Sequence, residues 1–427
     1  MTWLSLLTIA VGLLIWTGLV VLYSRGALRR RPSFRLMQVP SVDSERFVPT
    51  VISLTDSLPC QGQMTGFWVK SDEIFAARLA AVASAQHSIQ FETYKMTPGR
   101  RADDFAEALV RQAKAGIAIQ VTVDDYGTEK MPDSYWQRLR EAGIDVQSFS
   151  PLSWLAAFDY LRRSHRKLLI IDQQRILIGG AGVSDLWDGT PDTGNQSWFD
   201  YEVQFEGEVA GILYGLFVQH WLDSGGQIDM VNQPVKPLHS SVERTDILIT
   251  SGEDPSYRSS SLRALVETWC LAARSHIWIA SPYWLPHADI RRVLVQARQR
   301  GVDVRILTMG SNADKQLVYY AARMLYGDLL KADIKICEYQ PSMMHAKAIL
   351  IDQAWVSLGS ANIDPRSLFQ NDELNVASPD PDLLAKVQQF FGQGFNQSKQ
   401  IDYHSWRRRS QREKWLGRLA LLAYWQL

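Results

Sequence analysis

The sequence predicts a duplicated α/β chain: two α/β/α sandwich domains related by a pseudo-two-fold axis, preceded by one transmembrane helix. Three observations predict it. An apolar run without a charged residue, Trp3 to Leu22, opens the chain. Strand-like and helix-like segments then follow in the order βαβα, the pattern of a largely parallel sheet covered on both faces. That order recurs downstream, and each half carries the pattern H-x-K-x-x-x-x-D once, at His165-Lys167-Asp172 and at His345-Lys347-Asp352. A duplication of this kind pairs its halves about a pseudo-two-fold axis, so the two histidines should face one cleft.

The elements follow in order. Residues 1–24 read as a membrane anchor, because about 20 apolar residues cross a bilayer core. A basic leader and a small-x-small cleavage site, the marks of a removable signal peptide, are missing from this run. Arg25, Arg29, Arg30 and Arg31 follow at once, which predicts that the remaining chain lies in the cytoplasm. Residues 25–63 read as a basic juxtamembrane segment and a linker, since Pro32 to Gln63 lacks clear periodicity. A first domain spans 64–235. In it, helical spacing at Phe75–Ala85, Phe105–Ala115 and Tyr135–Ala142 alternates with strands at Ile89–Tyr94, Ile117–Val123 and Ile144–Phe149. In the second domain, 236–404, Ile277–Tyr283 answers Ile89–Tyr94, the strand after Gly301 answers the one after Gly116, and Lys331–Tyr339 answers Glu141–Phe149. Between the halves, Val209–Leu222 reads as an apolar core helix, with the boundary from Ser224 to Pro237. Trp187–Trp198, rich in turn formers, reads as a surface loop, with a gating loop at the cleft rim as the rarer alternative. Residues 405–427 read as a basic amphipathic C-terminal helix, lying either in a membrane interface or on the protein's own surface.

A chain of 427 residues exceeds one ordinary domain. Its 45 Lys plus Arg equal its 45 Asp plus Glu, so no global charge points to nucleic acid. Cys60, Cys270 and Cys337 lie far apart without a C-x-x-C, as reduced structural thiols do.

Residues two apart on a strand share a face, so each motif presents its histidine and lysine together. The apolar runs Leu168–Ile171 and Ala348–Ile351 fit buried strands. Asp-to-Gly spacing is the same in both copies, with Gly179-Gly180 standing where Gly359-Ser360 stands. Imidazole, ammonium and the Asn362 amide suit phosphoryl chemistry: histidine as nucleophile or acid, lysine and asparagine as donors to a charged phosphate.

The paired motifs resemble those of the phospholipase D superfamily. Within it, SANIDPRSLFQNDELN, SPYWLP, RGVDVRILT, LVYYAAR, EYQPSMMHAK, FETYKM, AGIAIQVTVDDYGT and SHRKLLIID are similar to bacterial cardiolipin synthases, from about Gly66 to the C-terminus. The resemblance implies a phospholipase D-like fold and a transfer between two phosphatidylglycerol molecules that yields cardiolipin and glycerol, with His165 as nucleophile and His345 as acid and base. The sequence itself does not distinguish the two histidines. It implies Lys167, Lys347 and Asn362 as phosphate donors, supported by Ser360 and Gly180. Glu373 stands where the family has a carboxylate on the second histidine, and Asp200 is the candidate for the same task at His165. Asp172 and Asp352 complete the motifs and read as ties for the motif strand, and Arg163 is a candidate phosphate contact. No cofactor or metal is implied; the partners are phosphatidylglycerol and cardiolipin in a bacterial inner membrane, without nucleic acid. One departure stands out: Gly182 occupies the position where the pattern expects an asparagine. Two alternatives remain, a hydrolase of the same superfamily with water as acceptor and a membrane scaffold with a decayed site.

Overall fold

The computed structural model describes residues 3–24, 36–152, 161–189, 196–231, 245–253 and 260–427. The arginines at 25 and 29–31, the middle of the Trp187–Trp198 loop and the end of the inter-half boundary lie outside them. The first half supplies β1 (Leu58–Trp68), β2 (Ser88–Thr93), β3 (Ala118–Asp124), β4 (Asp145–Phe149), β5 (Lys167–Ile171), β6 (Arg175–Gly179) and β7 (Glu202–Gly207). The second supplies β8 (Thr245–Gly252), β9 (His276–Ala280), β10 (Asp303–Met309), β11 (Lys335–Tyr339), β12 (Ala348–Ile351), β13 (Trp355–Gly359), β14 (Glu373–Ser378) and β15 (Ser398–Ile401).

All of them join in one sheet, ordered β15-β11-β10-β9-β12-β13-β14-β8-β1-β7-β6-β5-β2-β3-β4. Leaving β15 aside, the order from one edge mirrors that from the other. The pseudo-two-fold passes between β1 and β8, which pair antiparallel at the seam. The halves therefore share a sheet. The expectation of a largely parallel sheet is corrected: β2-β3-β4 and β9-β10-β11 are parallel, and the centre is antiparallel. The reason is the turn after each motif strand. Asp172 and Gln173 have φ of 54° and 54°, Asp352 and Gln353 have 50° and 52°. Two successive left-handed residues make the tight hairpin whose twist suits paired strands, so the next strand must run back.

The linker reading also gives way from residue 47 on. Residues Phe47–Thr55 form a helix whose Phe47 packs against Trp269 and Trp355 of the second half, and Leu58–Trp68 is the seam strand β1. Buried apolar side chains form a cluster on the outer face of each half. A third spans both, between the sheet and helices Glu208–Asp223 and Pro381–Asn396. The C-terminal segment is not one helix. It consists of Tyr403–Arg407, Gln411–Ala420 and a 3-10 turn at Leu421–Gln426, docked on the protein by buried Trp425 and by the Tyr424 hydroxyl, which donates to Leu285 O at 3.1 Å. At the other end, Ser5–Tyr23 is long and apolar enough to cross a membrane, and none of it is buried in the protein.

Candidate active site

Both motif histidines and Lys167 line one cleft of about 920 Å³, together with Tyr94, Arg163, Trp187, Trp198, Tyr283 and Asn362. The fold brings them there through four backbone contacts that repeat across the pseudo-axis. His165 N donates to Asp372 O and Asp372 N to Arg163 O; His345 N donates to Phe199 O and Phe199 N to Met343 O, each at 2.8 Å. The segments leading into β14 and β7 are thereby pinned onto the motif of the opposite half.

This crossing reverses the predicted carboxylate pairing. Glu373 lies 3.0 Å from His165 Nδ1, and Asp200 lies 3.0 Å from His345 Nδ1. Each histidine is held by the other half's carboxylate, because Glu373 and Asp200 directly follow the residues that cross over. His165 Nδ1 also lies 3.1 Å from Ser360 O, which can only accept. The proton therefore sits on Nδ1, and Nε2 keeps its lone pair for the cleft.

Supporting groups differ between the halves. Glu373 accepts from the Ser360 hydroxyl at 2.5 Å and the Ser367 hydroxyl at 2.6 Å. Asp200 accepts instead from Trp187 Nε1 at 3.0 Å. Gly180 occupies the position of Ser360, and a Cβ there would come within 2.3 Å of Asp200 Oδ1. Burial raises the Glu373 carboxyl to about 7 against the pull of Lys167. Burial acts on Asp200 too, but the hydrogen bond and charge of His345 outweigh it and hold that carboxyl below its usual range.

Burial, then Lys167 and Lys347, keeps His165 well below the ordinary imidazole value. His345 is lowered to about 4 by burial and Lys347. The lysines are themselves lowered by burial, Lys167 to about 7 and Lys347 to about 8. Each folds back on its own motif: Lys167 Nζ donates to His165 O at 2.6 Å and Lys347 Nζ to His345 O at 2.5 Å. Asn362 is 3% exposed, and its Oδ1 is buried without a hydrogen-bond partner.

Asp172 and Asp352 stand at the far ends of β5 and β12, away from the residues lining the cleft. Asp172 accepts from the backbone N–H groups of Gln86, His87 and Ser88, and Asp352 from those of Arg274, Ser275 and His276. They tie the motif hairpin to the strand beside it, and the grouping of these two with the catalytic set is corrected. Arg163 is buried and lines the cleft, with Nη1 3.5 Å from Asp124 and Nη2 donating to Ser150 O at 3.2 Å.

Several residues of the site escape the sequence reading. Tyr94 packs on His165 with ring centroids 4.9 Å apart, and Tyr283, its counterpart, faces His345 at 6.5 Å. Their equal places in the two repeats were the available signal. Trp187 and Trp198 wall His345 at 5.3 and 5.5 Å, so the ends of the predicted surface loop belong to the cleft. Behind His165 lies a buried ionic chain. His220 Nδ1 is 2.6 Å from Glu92 and Nε2 2.8 Å from Asp372, while Ser164 Oγ donates to Glu92 at 2.7 Å and Arg162 grips Asp372. Burial and Arg166 oppose a charge on His220, but the two carboxylates raise it above its ordinary value. A histidine within an apolar helix was the hint.

Two histidine-lysine half-sites meeting in one cleft of a duplicated α/β sheet define a phospholipase D-like protein. Residues 79–185 and 271–394 match the family described as cardiolipin synthase, PLD-like domain, and the chain belongs to that family. It is 30% identical over 331 residues to cardiolipin synthase 2 of Bacillus anthracis, covering 77% of this chain and 64% of that protein, somewhat under two thirds of its length. It is 31% identical over 343 residues to the cardiolipin synthase of Alkalihalophilus pseudofirmus, covering 79% of this chain and 67% of that one. Among solved structures it is similar to phosphatidylserine synthase from Haemophilus influenzae, with a TM-score of 0.69 at 13% identity, over 90% of this chain and 100% of that one. It is also similar to polyphosphate kinase from Porphyromonas gingivalis, with a TM-score of 0.52 at 13% identity over 88% and 53%. These two likenesses concern the fold.

Proposed function

We propose that the protein is a membrane-bound phosphatidyltransferase that makes cardiolipin from two phosphatidylglycerol molecules and releases glycerol. The observation that carries this reading is the pair of imidazoles in one cleft, each with Nδ1 held by the opposite half's carboxylate and a lysine beside it. Membership of the cardiolipin synthase family supports it.

His165 Nε2 attacks the phosphorus of the first lipid. The bond to the glycerol oxygen breaks as His345 gives that oxygen a proton, leaving a phosphatidyl-histidine and free glycerol. His345, now neutral, takes the proton of the second lipid's headgroup hydroxyl, whose oxygen displaces His165 and closes the new diester. Lys167, Lys347 and Asn362 donate to the non-bridging oxygens, where charge gathers in the transition state. Binding an anionic phosphodiester adds negative charge beside both lysines. Their hold on the imidazoles weakens, so His345 gains its proton when substrate is present.

Two features support a chain held at the lipid headgroups. The N-terminal helix lies against the C-terminal turn, and Leu427 at the end of that turn lines the cleft. The arginines after the helix favour the cytoplasmic face. The test is to incubate the purified protein with labelled phosphatidylglycerol and separate the products. Cardiolipin and glycerol should form in about equal amounts, with His165 carrying the trapped adduct. Phosphatidic acid as the main product at every lipid density would make water the acceptor and the protein a hydrolase.

A further inference from the structure

The cleft holds more cations than one phosphodiester requires. Besides Lys167, three further lysines, Lys95, Lys130 and Lys315, line it, alongside the carboxylates of Glu129, Asp185, Asp314 and Asp364. Among the described residues, the lysine ion pairs are those of Lys70 and Lys335, so these three ammonium groups face the cleft without a carboxylate in contact. Lys315 Nζ stands 5.1 Å from the centre of the Tyr283 ring. Tyr283 in turn faces His345, its ring centroid 6.5 Å away, and both line the cleft with Lys315. Lys95 is half-buried; burial and then Lys130 pull its ammonium below the ordinary lysine value, with Lys315 adding to them and Glu129 and Asp314 opposing. Cations gathered against their mutual repulsion are relieved by an anion.

The pseudo-symmetry shows where Lys95 sets the two halves apart. In the second half, Asn362 lines the cleft and Trp284, next to Tyr283, is fully buried. In the first half the matching pair is Gly182 and Lys95, next to Tyr94. A Cβ on Gly182 would lie 2.4 Å from Lys95 O, so the Lys95 backbone occupies the space of the missing asparagine while its side chain lines the cleft. One half has an amide and a buried indole; the other has exchanged them for an ammonium group.

The proposed acceptor carries a phosphate of its own, one three-carbon bridge away from the hydroxyl that attacks. We propose that Lys95, with Lys130 and Lys315, forms a second anion subsite that holds the phosphodiester of the acceptor lipid while its hydroxyl meets the phosphatidyl-histidine. This rests on the transfer reading above and deepens it. Such a subsite makes the acceptor resident beside the intermediate, which favours it over water. It takes no part in donor binding, because glycerol leaving the first lipid has no phosphate.

Soluble acceptors separate the two contributions. With acyl-labelled phosphatidylglycerol in vesicles as donor, transfer is measured to labelled glycerol and to glycerol 3-phosphate, each as kcat/KM. The protein should prefer glycerol 3-phosphate, and Lys95→Met should reduce that preference about tenfold, the size of one lost charge-assisted hydrogen bond. Lys315→Met, on an exposed side chain that the fold does not need, should reduce it in the same direction. A protein that shows no preference, or a preference that survives both substitutions, overturns the subsite and leaves the transferase intact. Use of neither acceptor, with phosphatidic acid as the product, overturns the transferase and the subsite together.

Discussion

Gly182→Asn restores the residue that the repeat pattern expects and adds, on paper, a phosphate donor to the first half-site. The structure predicts damage instead. The new Cβ falls 2.4 Å from Lys95 O and 3.0 Å from Lys95 Cβ, and the near partner is backbone, which cannot swing aside. Lys95 O is itself engaged by Val183 N at 2.9 Å. Gly182 O accepts from Arg78 Nη1 at 2.8 Å, and the same guanidinium binds Ala181 O at 2.8 Å and both oxygens of Glu202. Arg78 is 3% exposed, so a shift of the segment around Gly182 leaves a buried charge partly unpaired. Overpacking costs about 1–3 kcal/mol. Loosening hydrogen bonds of a buried charge adds about 1.5–3 kcal/mol. A total of about 2.5–6 kcal/mol, at about 2 °C per kcal/mol for a long chain, lowers Tm by about 5–12 °C. Differential scanning calorimetry of the two proteins measures this directly. A variant that melts within a degree or so of the parent and turns over faster refutes the reasoning, for it means that the Lys95 backbone yields and the amide reaches the cleft.

Three further substitutions probe the other layers. Asp172→Ala strips an acceptor from three backbone N–H groups and should cost about 3 kcal/mol in urea unfolding, at about 1 kcal/mol for each bond, with turnover of the folded protein kept. His220→Gln leaves Glu92 and Asp372 without their shared cation and should cost about 3–5 kcal/mol by the same measurement. Asp200→Asn removes a group that raises His345, so the histidine's proton is lost at lower pH. The alkaline limb of the kcat profile should therefore move toward acid; movement toward alkali would show that Asp200 does not serve His345.

The parts of the site legible in sequence are those that recur within one strand. H-x-K-x-x-x-x-D fixes which side chains share a face and where the strand ends, and the role of Asp172 and Asp352 as ties follows from their place at that end. Carboxylate pairing was not legible. It depends on Asp372 lying across from Ser164 and on Phe199 lying across from Met344, contacts between residues of opposite halves that no local pattern encodes. Nor was β1 legible. At the seam of the sheet its residues alternate irregularly between buried and exposed, so the period of two that marks a half-buried strand is lost. The turn after each motif strand was readable in principle, since Asp tolerates the left-handed region that this short three-residue hairpin turn uses.

What the duplication keeps and what it changes bears on how two equal histidines acquire unequal tasks. The backbone frame is kept: the same two hydrogen bonds cradle each motif. The layer behind is changed. His165 is backed by Glu92, His220, Asp372 and Arg162, joined through ionic contacts. At the matching place behind His345, Phe199 stacks on Tyr339 at 4.8 Å and on Phe390 at 4.3 Å, with no charge among them. Phe199 replaces Asp372, Met344 replaces Ser164, and Tyr339 replaces Phe149, whose ring stacks on His220. A buried ionic layer is rigid because each member is costly to leave unpaired. An aromatic layer gives up no ion pair when its neighbour changes charge. The proposed nucleophile, which must meet phosphorus at a fixed angle twice in each cycle, stands on the rigid layer. The proposed acid and base, which changes protonation twice in each cycle, stands on the layer without charge, beside one ionised carboxylate, Asp200, that favours its protonated form.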